Sequence, residues 1–219
     1  MIPNIFREFT IKRVIAKELN IKKSSLDNCR VLVVVGGNAS GKSFLRRLLS
    51  AFIRQYYKDK KEEVGVVSIS QEMRTSQNIG NVFVYGSEDW EATGLITCNS
   101  VVGVLRNIRE NGGWGKNVIV IDEPEIGLSD ETQSALAIHV REQIENWPDN
   151  LVGIVVMTHS RYFMRELNKV EGFKMLDLDG KYKTVDDWVN RKVVPVDLNT
   201  LEEVALTRFR KLTKALKKD

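Results

Sequence analysis

The chain has 219 residues, of which 42% are hydrophobic and 28% are charged, and its formal net charge at pH 7 is +4. These values are ordinary for a soluble globular protein, and the length suits one large domain over residues 1–219. No apolar run is long enough to span a membrane, and the N-terminal residues carry charge where a signal peptide needs an apolar stretch. We therefore expect a cytoplasmic protein without a membrane span. Cys29 and Cys98 have neither metal-site nor redox spacing, which predicts reduced, buried thiols.

The charge is unevenly distributed along the chain. Residues 1–63 carry a net charge of +8, residues 64–204 carry −9, and residues 205–219 carry +5. Basic ends can contact a phosphate polymer, or they can simply be solvated surface. A nucleic-acid or protein partner at these ends is one interpretation, and an ordinary solvated surface is the other.

The first 30 residues are ambiguous. Their apolar positions fit an amphipathic helix and an edge strand about equally well. Phe6 and Phe9 lie upstream of a phosphate-binding motif, where an aromatic side chain can stack on adenine. Packing in the core is the alternative role for both.

The clearest signal is a strand, a glycine-rich loop and a helix in succession. The β-branched run Val31–Val35 predicts a buried strand, and residues 36–43 match the pattern G-x-x-x-x-G-K-[ST]. We call residues 36–43 the phosphate loop, because its backbone N–H groups suit phosphate oxygens, Lys42 suits the terminal phosphates, and Ser43 suits Mg²⁺. An apolar stripe after the loop predicts an amphipathic helix. The residues expected to bind the nucleotide here are Gly36, Gly37, Asn38, Ala39, Ser40, Gly41, Lys42, Ser43 and Phe44.

A second strand is predicted at Val64–Ile69, and a short one at residues 82–85. Gln71 follows the second strand directly, where its side chain can reach a metal ion or the water bound to it. Gln77 is a competing choice for that role, and either glutamine can instead be a loop residue.

A helix is then predicted to begin at Asn99 or Ser100. Both residue types are good N-caps, and apolar residues follow at helical spacing. The apolar positions are Val101, Val104, Leu105 and Ile108.

The second strong signal is the sequence VIVIDEPEIGLSDE at residues 118–131. Four apolar residues predict a buried strand, which delivers Asp122 and Glu123 at its carboxyl end, where parallel α/β sheets place their ligand crevice. The aspartate can hold Mg²⁺, and the glutamate can orient and deprotonate an attacking water. Two adjacent carboxylates in a buried place without a cation would be destabilising, which favours a functional role.

A helix at Asp130–Glu145 and an apolar strand at Leu151–Met157 follow. This strand leads into His159, which is therefore at the same sheet edge as Asp122 and can contact a γ-phosphate. His139, the other histidine of the chain, lies mid-helix and is expected to have a surface or packing role.

Two features are predicted near the C-terminus. Residues 175–182 have Asp179 and Gly180 at their centre, which is typical of a β-hairpin. Thr200 with Glu203 forms a capping-box pattern that starts a last, basic helix over residues 200–219. Its apolar positions are Leu201, Ala205, Phe209, Leu212 and Leu216.

The phosphate loop, the DEPEIGLS segment and the MTHS segment, in this order, resemble the ATP-binding-cassette (ABC) class of P-loop ATPases. DEPE followed by GLS is more similar to the soluble branch, which includes chromosome-maintenance, recombination-repair and defence ATPases, than to the transporters. The resemblance implies a P-loop NTPase fold with a mostly parallel central sheet flanked by helices, and a reduced helical region at about residues 71–112. It also implies that ATP and Mg²⁺ are bound.

The resemblance assigns roles to single residues. It implies that Ser43, Gln71 and Asp122 serve the Mg²⁺ shell, that Glu123 is the catalytic base, and that His159 is the switch histidine. It further implies a homodimer that closes around ATP, with Ser100 facing the partner's γ-phosphate.

The sequence departs from the class at two places. The signature LSGGQ is replaced by NSVVG around Ser100, and Ser129 occupies the position of an aspartate. Both changes fall on the surface that this class uses to dimerise.

Three functions are compatible with these motifs. The leading hypothesis is a soluble ATPase of this class that hydrolyses ATP. One alternative is a nucleic-acid-binding or regulatory module whose nucleotide site is a switch with little turnover. The other is a small P-loop kinase, against which Glu123 and His159 argue.

Overall fold

Strands and helices alternate along the chain in the computed structural model, which describes residues 19, 21, 29–70, 93–110, 116–146 and 149–217. The strands within these ranges are β1 Val31–Val35, β2 Val64–Ile69, β3 Lys116–Asp122, β4 Leu151–Met157 and β5 Phe173–Asp177. The helices are α1 Lys42–Asp59, α2 Thr93–Glu110, α3 Asp130–Glu145, α4 Arg161–Leu167, α5 Val185–Val189 and α6 Leu198–Lys217.

The five strands form one parallel sheet in the order β2-β3-β4-β1-β5. Since all strands run in the same direction, their carboxyl ends meet at one edge. Strand β4 lies between β1, which leads into the phosphate loop, and β3, which ends at Asp122. The segment that follows β4 is therefore placed between these two motifs.

Helices cover both faces of the sheet, which explains why the central strands are apolar without alternation. Leu32 and Val34 of β1 belong to the core on the side of α1. Val31, Val33 and Val35 belong to the core on the side of α2, α3 and α4. The predicted fold class, an α/β protein with a parallel sheet flanked by helices, is confirmed.

Several predicted elements have the bounds that the sequence suggested. These are β1, β2, α3 and β4. Helix α3 begins where it does because the Ser129 side chain is its N-cap and accepts a hydrogen bond from the Thr132 N–H at 3.4 Å.

The predicted N-cap at Asn99 or Ser100 is wrong. Helix α2 already begins at Thr93, and Ser100 is buried in its interior. The Ser100 hydroxyl donates to the Ile96 carbonyl at 2.7 Å, the bond by which a serine satisfies its hydroxyl within a helix. Ser100 therefore cannot act as a helix N-terminus that faces a partner's nucleotide.

The predicted hairpin at residues 175–182 is also wrong. Strand β5 ends at Asp177 and pairs only with β1 among the described strands, in parallel. The Asp177 carboxylate instead accepts backbone hydrogen bonds from the residues that follow, at 3.0 Å from Asp179, 2.7 Å from Lys181 and 2.9 Å from Tyr182. The backbone N–H groups that a hairpin would use for strand pairing are therefore bound to the Asp177 side chain instead.

The last helix begins two residues before the predicted capping box. Helix α6 starts at Leu198, and the Asp197 carboxylate accepts from the Asn199 N–H at 3.0 Å. A capping box forms elsewhere, between Thr184 and Asp187 at the start of α5.

The predicted apolar stripe of α6 is only partly buried. Leu212 is buried, Leu201 is half-buried, and Ala205 and Phe209 are exposed. The side chain of Leu216 lies outside the described residues. An amphipathic pattern predicts that one face of a helix is covered, but it does not say by what.

Both cysteines are free thiols, as predicted. Cys29 is buried, and this burial raises its pKa to about 12. Cys98 is half-buried, and burial raises its pKa as well. None of the helices in the described part of the chain combines the length and the apolar character that crossing a membrane requires.

Four candidate residues and one predicted strand fall outside the described residues. The residues are Phe6, Phe9, Gln71 and Gln77, and the strand is the one at residues 82–85.

Candidate nucleotide-binding site

The phosphate loop connects β1 to α1, and its first and last glycines are required by its shape. A Cβ atom at Gly36 would lie 2.5 Å from the Ser40 hydroxyl oxygen, so a side chain does not fit there. Gly41 caps α1 with a left-handed φ of 96°, and a Cβ there would lie 2.9 Å from Leu19. The loop therefore turns back on itself before the helix begins, as a phosphate-binding loop does.

The N-terminus of α1 provides the electrostatic part of the site. Its first backbone N–H groups lack partners within the helix, and the helix dipole makes this end attractive to anions. The Ser43 side chain is exposed at this end. A phosphate group that enters the loop thus meets N–H donors and a hydroxyl.

Lys42 is a largely buried cation whose amine lies inside the loop. Its Nζ is 3.1 Å from the Gly36 carbonyl, 3.3 Å from the Gly37 carbonyl and 2.7 Å from His159 Nε2. Burial lowers the pKa of Lys42, and four nearby carboxylates oppose that shift in part, those of Glu123, Asp122, Glu125 and Asp179. A bound phosphate would add negative charge directly beside this amine.

His159 lies between Lys42 and Glu123. Its Nε2 atom is 3.5 Å from the Glu123 carboxylate as well as 2.7 Å from Lys42 Nζ. The imidazole reaches both because β4 lies between β1 and β3 in the sheet. Three residues that the sequence singled out in separate motifs therefore meet at one edge of the sheet.

Glu123 has an unusual backbone conformation. Its φ is 52°, in the left-handed region, which costs about 1–2 kcal/mol for a residue with a side chain. The Glu123 N–H donates to the Met157 carbonyl at 2.8 Å, so the conformation is held by pairing with the end of β4. Such local strain is common at functional positions.

Asp122 is paired with an arginine that the sequence did not suggest. Arg46 Nε lies 3.2 Å from the Asp122 carboxylate, and Arg46 also donates to the Ser68 hydroxyl at 3.3 Å. Both side chains are nearly buried, with 12% and 13% of their surface exposed. The sequence offers one signal that could have identified this arginine. Arg46 follows Ser43 by one helical turn, so the two side chains lie on the same side of α1.

The site has ligands suited to Mg²⁺. The Ser43 hydroxyl and the Asp122 carboxylate provide the oxygen atoms that this ion prefers. The described residues contain no group of three or more His, Cys, Asp or Glu side chains that could hold a metal ion. Mg²⁺ commonly takes one or two protein ligands together with water and substrate phosphates, and Ser43 and Asp122 are the two candidates.

Glu125 holds the segment that carries His159. Its carboxylate accepts the Thr158 hydroxyl at 2.7 Å and the His159 backbone N–H at 2.5 Å. Sequence reasoning missed this residue, although it belongs to the same DEPE segment as Glu123, because the partner lies 34 residues away in the chain.

Asp179 holds the phosphate loop from the other side. Its carboxylate accepts the Gly37 N–H at 2.7 Å and pairs with Arg208 of α6 at 3.1 Å. Burial by itself would raise the pKa of Asp179, but these two hydrogen bonds, together with the positive charges of Arg208 and Lys181, outweigh it and hold the pKa below its ordinary value. The sequence predicted only a turn at this position.

A cleft of about 280 Å³ opens beside the phosphate loop. Glu123 lines it, together with Ala205, Arg208, Phe209 and Leu212 of α6. Seven of the predicted binding residues also line it, namely Asn38, Ala39, Ser40, Gly41, Lys42, Ser43 and Phe44. Ser100 does not line the cleft, and Gln71 lies outside the described residues.

No protein-family model matches the chain, and no curated protein matches it. Among solved structures, it is similar to the ORC2 protein of Aeropyrum pernix in its ADP form, with 15% identity and a TM-score of 0.41. That match covers 79% of this chain and 51% of the other. The same protein with ADPNP and ADP gives 14% identity, a TM-score of 0.36, and coverage of 80% and 51%. The chain thus spans about half the length of these solved structures.

Glu125→Ala should release the backbone of His159. The His159 N–H loses its charged acceptor, and such a bond contributes about 1.5–3 kcal/mol, so we expect its amide to exchange with solvent at least roughly tenfold faster. Hydrogen exchange followed by NMR or mass spectrometry measures this. Glu171→Ala, which changes an exposed carboxylate, is the control, and unchanged protection in Glu125→Ala would contradict the assigned contact.

Asp179→Asn should destabilise the protein in a pH-dependent way. Because the folded state lowers the pKa of Asp179, its contribution is complete above the ordinary aspartate pKa of about 4 and is lost as the pH falls through the lower folded value. We expect a free energy of unfolding about 1–3 kcal/mol below that of the parent at pH 7, and a smaller difference in acid. Urea unfolding at several pH values tests this, with Asp149→Asn as the control at an exposed carboxylate. An equal difference at all pH values would contradict it.

Proposed function

We propose that the chain is a P-loop ATPase that hydrolyses ATP with the help of Mg²⁺. The observation that carries this proposal is the row of contacts from the phosphate loop to Lys42, from Lys42 to His159 and from His159 to Glu123. A buried cation suits the phosphates, and a carboxylate within reach of the same histidine suits a water molecule that attacks them. These contacts support phosphate binding and a base for hydrolysis at one place.

The reaction assigns one task to each residue. The loop N–H groups and Lys42 bind the β- and γ-phosphate oxygens. Glu123 accepts a proton from a water molecule whose oxygen attacks the γ-phosphorus, while the bond from that phosphorus to the bridging β-γ oxygen breaks and ADP leaves. His159 lies beside Lys42 and Glu123, and it donates to a γ-phosphate oxygen. The position of Glu123 therefore depends on whether that phosphate is present.

Mg²⁺ would be held by Ser43 and Asp122 together with phosphate oxygens, and it would neutralise phosphate charge. Arg46 Nε lies 3.2 Å from the Asp122 carboxylate. It keeps this carboxylate in place because the ion pair is nearly excluded from water.

We further propose membership of the soluble ABC class, with a homodimer that forms on ATP binding. The three motifs support the class, and His159 lies where the switch histidine of that class is expected to act. The side chains of His159 and Glu123 are 36% and 32% exposed, so a second copy can approach them. Ser100 is buried and is not part of this dimer surface.

Glu123→Gln should abolish hydrolysis and keep ATP binding. An amide has nearly the same shape but cannot accept the proton, so we expect phosphate release to fall by about 10²–10⁴-fold while the affinity for ATP changes little. Phosphate release with water as the only acceptor measures turnover and also separates hydrolysis from kinase chemistry. Size-exclusion chromatography with and without ATP and Mg²⁺ reports whether the trapped state is a dimer.

Glu171→Gln, at an exposed carboxylate, is the matched control and should hydrolyse ATP like the parent. If Glu123→Gln hydrolyses ATP at the rate of the parent, Glu123 is not the base. If the protein remains a monomer with ATP and Mg²⁺, the proposed dimer is refuted, but the proposed hydrolysis is not.

The second candidate function is a nucleic-acid-binding module with a regulatory nucleotide site. The observation that favours it is the basic surface of α6, where Arg210, Lys211 and Lys214 are exposed. Lysine and arginine contacts with phosphates release counterions, so the resulting affinity depends steeply on salt.

Replacing Arg210, Lys211 and Lys214 together by Gln should weaken retention of DNA or RNA. We expect each lost contact to reduce the slope of log K against log salt by roughly 0.7–0.9. Binding titrations at several salt concentrations measure this, with Arg106→Gln, on the exposed side of α2, as the control. Absence of retention of either polymer by the parent at low salt would remove this candidate.

A further inference from the structure

Phe209 is an aromatic residue whose exposure is not explained by the packing of the chain. It is 65% exposed, although it belongs to the apolar stripe of α6 and lines the cleft beside the phosphate loop. Single exposed apolar residues are common on protein surfaces, but this ring lines a cleft, where a bound group would cover it. The cleft is lined by α6 on the side of Phe209 and by the phosphate loop at its base.

Two residues of α6 hold this wall against the loop. Leu212 is 3% exposed and packs in the core, where it comes within 3.8 Å of the position of a Cβ atom at Gly41. Arg208 pairs with Asp179 at 3.1 Å and donates to the Leu178 carbonyl at 3.2 Å. Because these anchors are four residues apart, they lie one turn apart on the same helix face.

Phe209 lies between Arg208 and Leu212 in the helix, so these two anchors fix its position beside the cleft. Ala205 lies one turn before it on the cleft side, and its small side chain leaves room beside the ring. A nucleotide whose phosphates occupy the loop must direct its other end out of the loop. The cleft continues from the loop to Phe209, so that end has an aromatic surface within the same cavity.

We propose that Phe209 is the platform on which the base of the bound nucleotide stacks, so that the C-terminal helix completes the nucleotide site. This proposal rests on the proposed function, because it takes the loop as the phosphate site. The ring offers a π-face and no hydrogen-bonding group, and every base can stack on such a face. Binding through Phe209 is therefore tolerant of the base and strengthens the affinity for any nucleoside triphosphate.

The test compares ATP with inorganic tripolyphosphate, which has the phosphates but no base. In Phe209→Ala, the affinity for ATP should fall about tenfold, within the range that base–aromatic stacking contributes, while the affinity for tripolyphosphate stays unchanged. Phe209→Trp should keep the affinity for ATP, and its added indole fluorescence should change when ATP binds but not when tripolyphosphate binds. Leu206→Ala is the matched control, because Leu206 is 45% exposed on the same helix and does not line the cleft.

The outcomes separate this inference from the proposed function. If the parent binds tripolyphosphate and ATP, but Phe209→Ala binds ATP as the parent does, the base platform is refuted and the phosphate site stands. Equal losses for ATP and tripolyphosphate also refute it, because they show that Phe209 only supports the loop. If the parent binds neither compound, the proposed function fails and the base platform fails with it.

Discussion

The buried ammonium group of Lys42 is the feature on which the rest of the site depends. Taking a cation out of water is costly unless opposite charge or good hydrogen-bond acceptors surround it. Here loop carbonyls accept hydrogen bonds from the amine, the imidazole of His159 lies 2.7 Å from it, and carboxylates at the ends of neighbouring strands supply the opposite charge. A parallel sheet is suited to this, because it brings the carboxyl ends of all its strands to one edge. The lysine and its acidic neighbours thus stabilise one another in the place that we propose as the phosphate-binding site.

Carboxylates also hold the loops of the site in place. Asp179 accepts the N–H of Gly37 in the phosphate loop, Glu125 accepts the N–H of His159, and Asp122 is paired with Arg46 of α1. The first two contacts connect loops that follow different strands, and the third connects the end of β3 to α1, so contacts between segments far apart in the chain position the site.

Helix α6 shows how the same apolar pattern can have different uses. Its stripe predicted a helix packed on the core, but of the stripe's described side chains only Leu212 is buried there, while Phe209 lines the cleft and is exposed. Arg208 connects the helix to Asp179 and so to the phosphate loop. Among the described side chains, Leu212 and Arg208 anchor the helix, while Phe209 remains exposed.

The sequence by itself determined the parallel α/β class, the phosphate loop and the positions of Asp122, Glu123 and His159. Each of these features belongs to or directly follows a strand or loop that can be recognised from a short stretch of sequence. It could not identify Glu125 or Asp179 as site residues, nor the Arg46 and Arg208 pairings. Those roles arise from contacts between segments far apart in the chain, which only the order of the strands and the packing of α6 decide. The same reason explains the error at Ser100, where good capping chemistry was overruled by a helix that starts seven residues earlier and buries the serine against its neighbours.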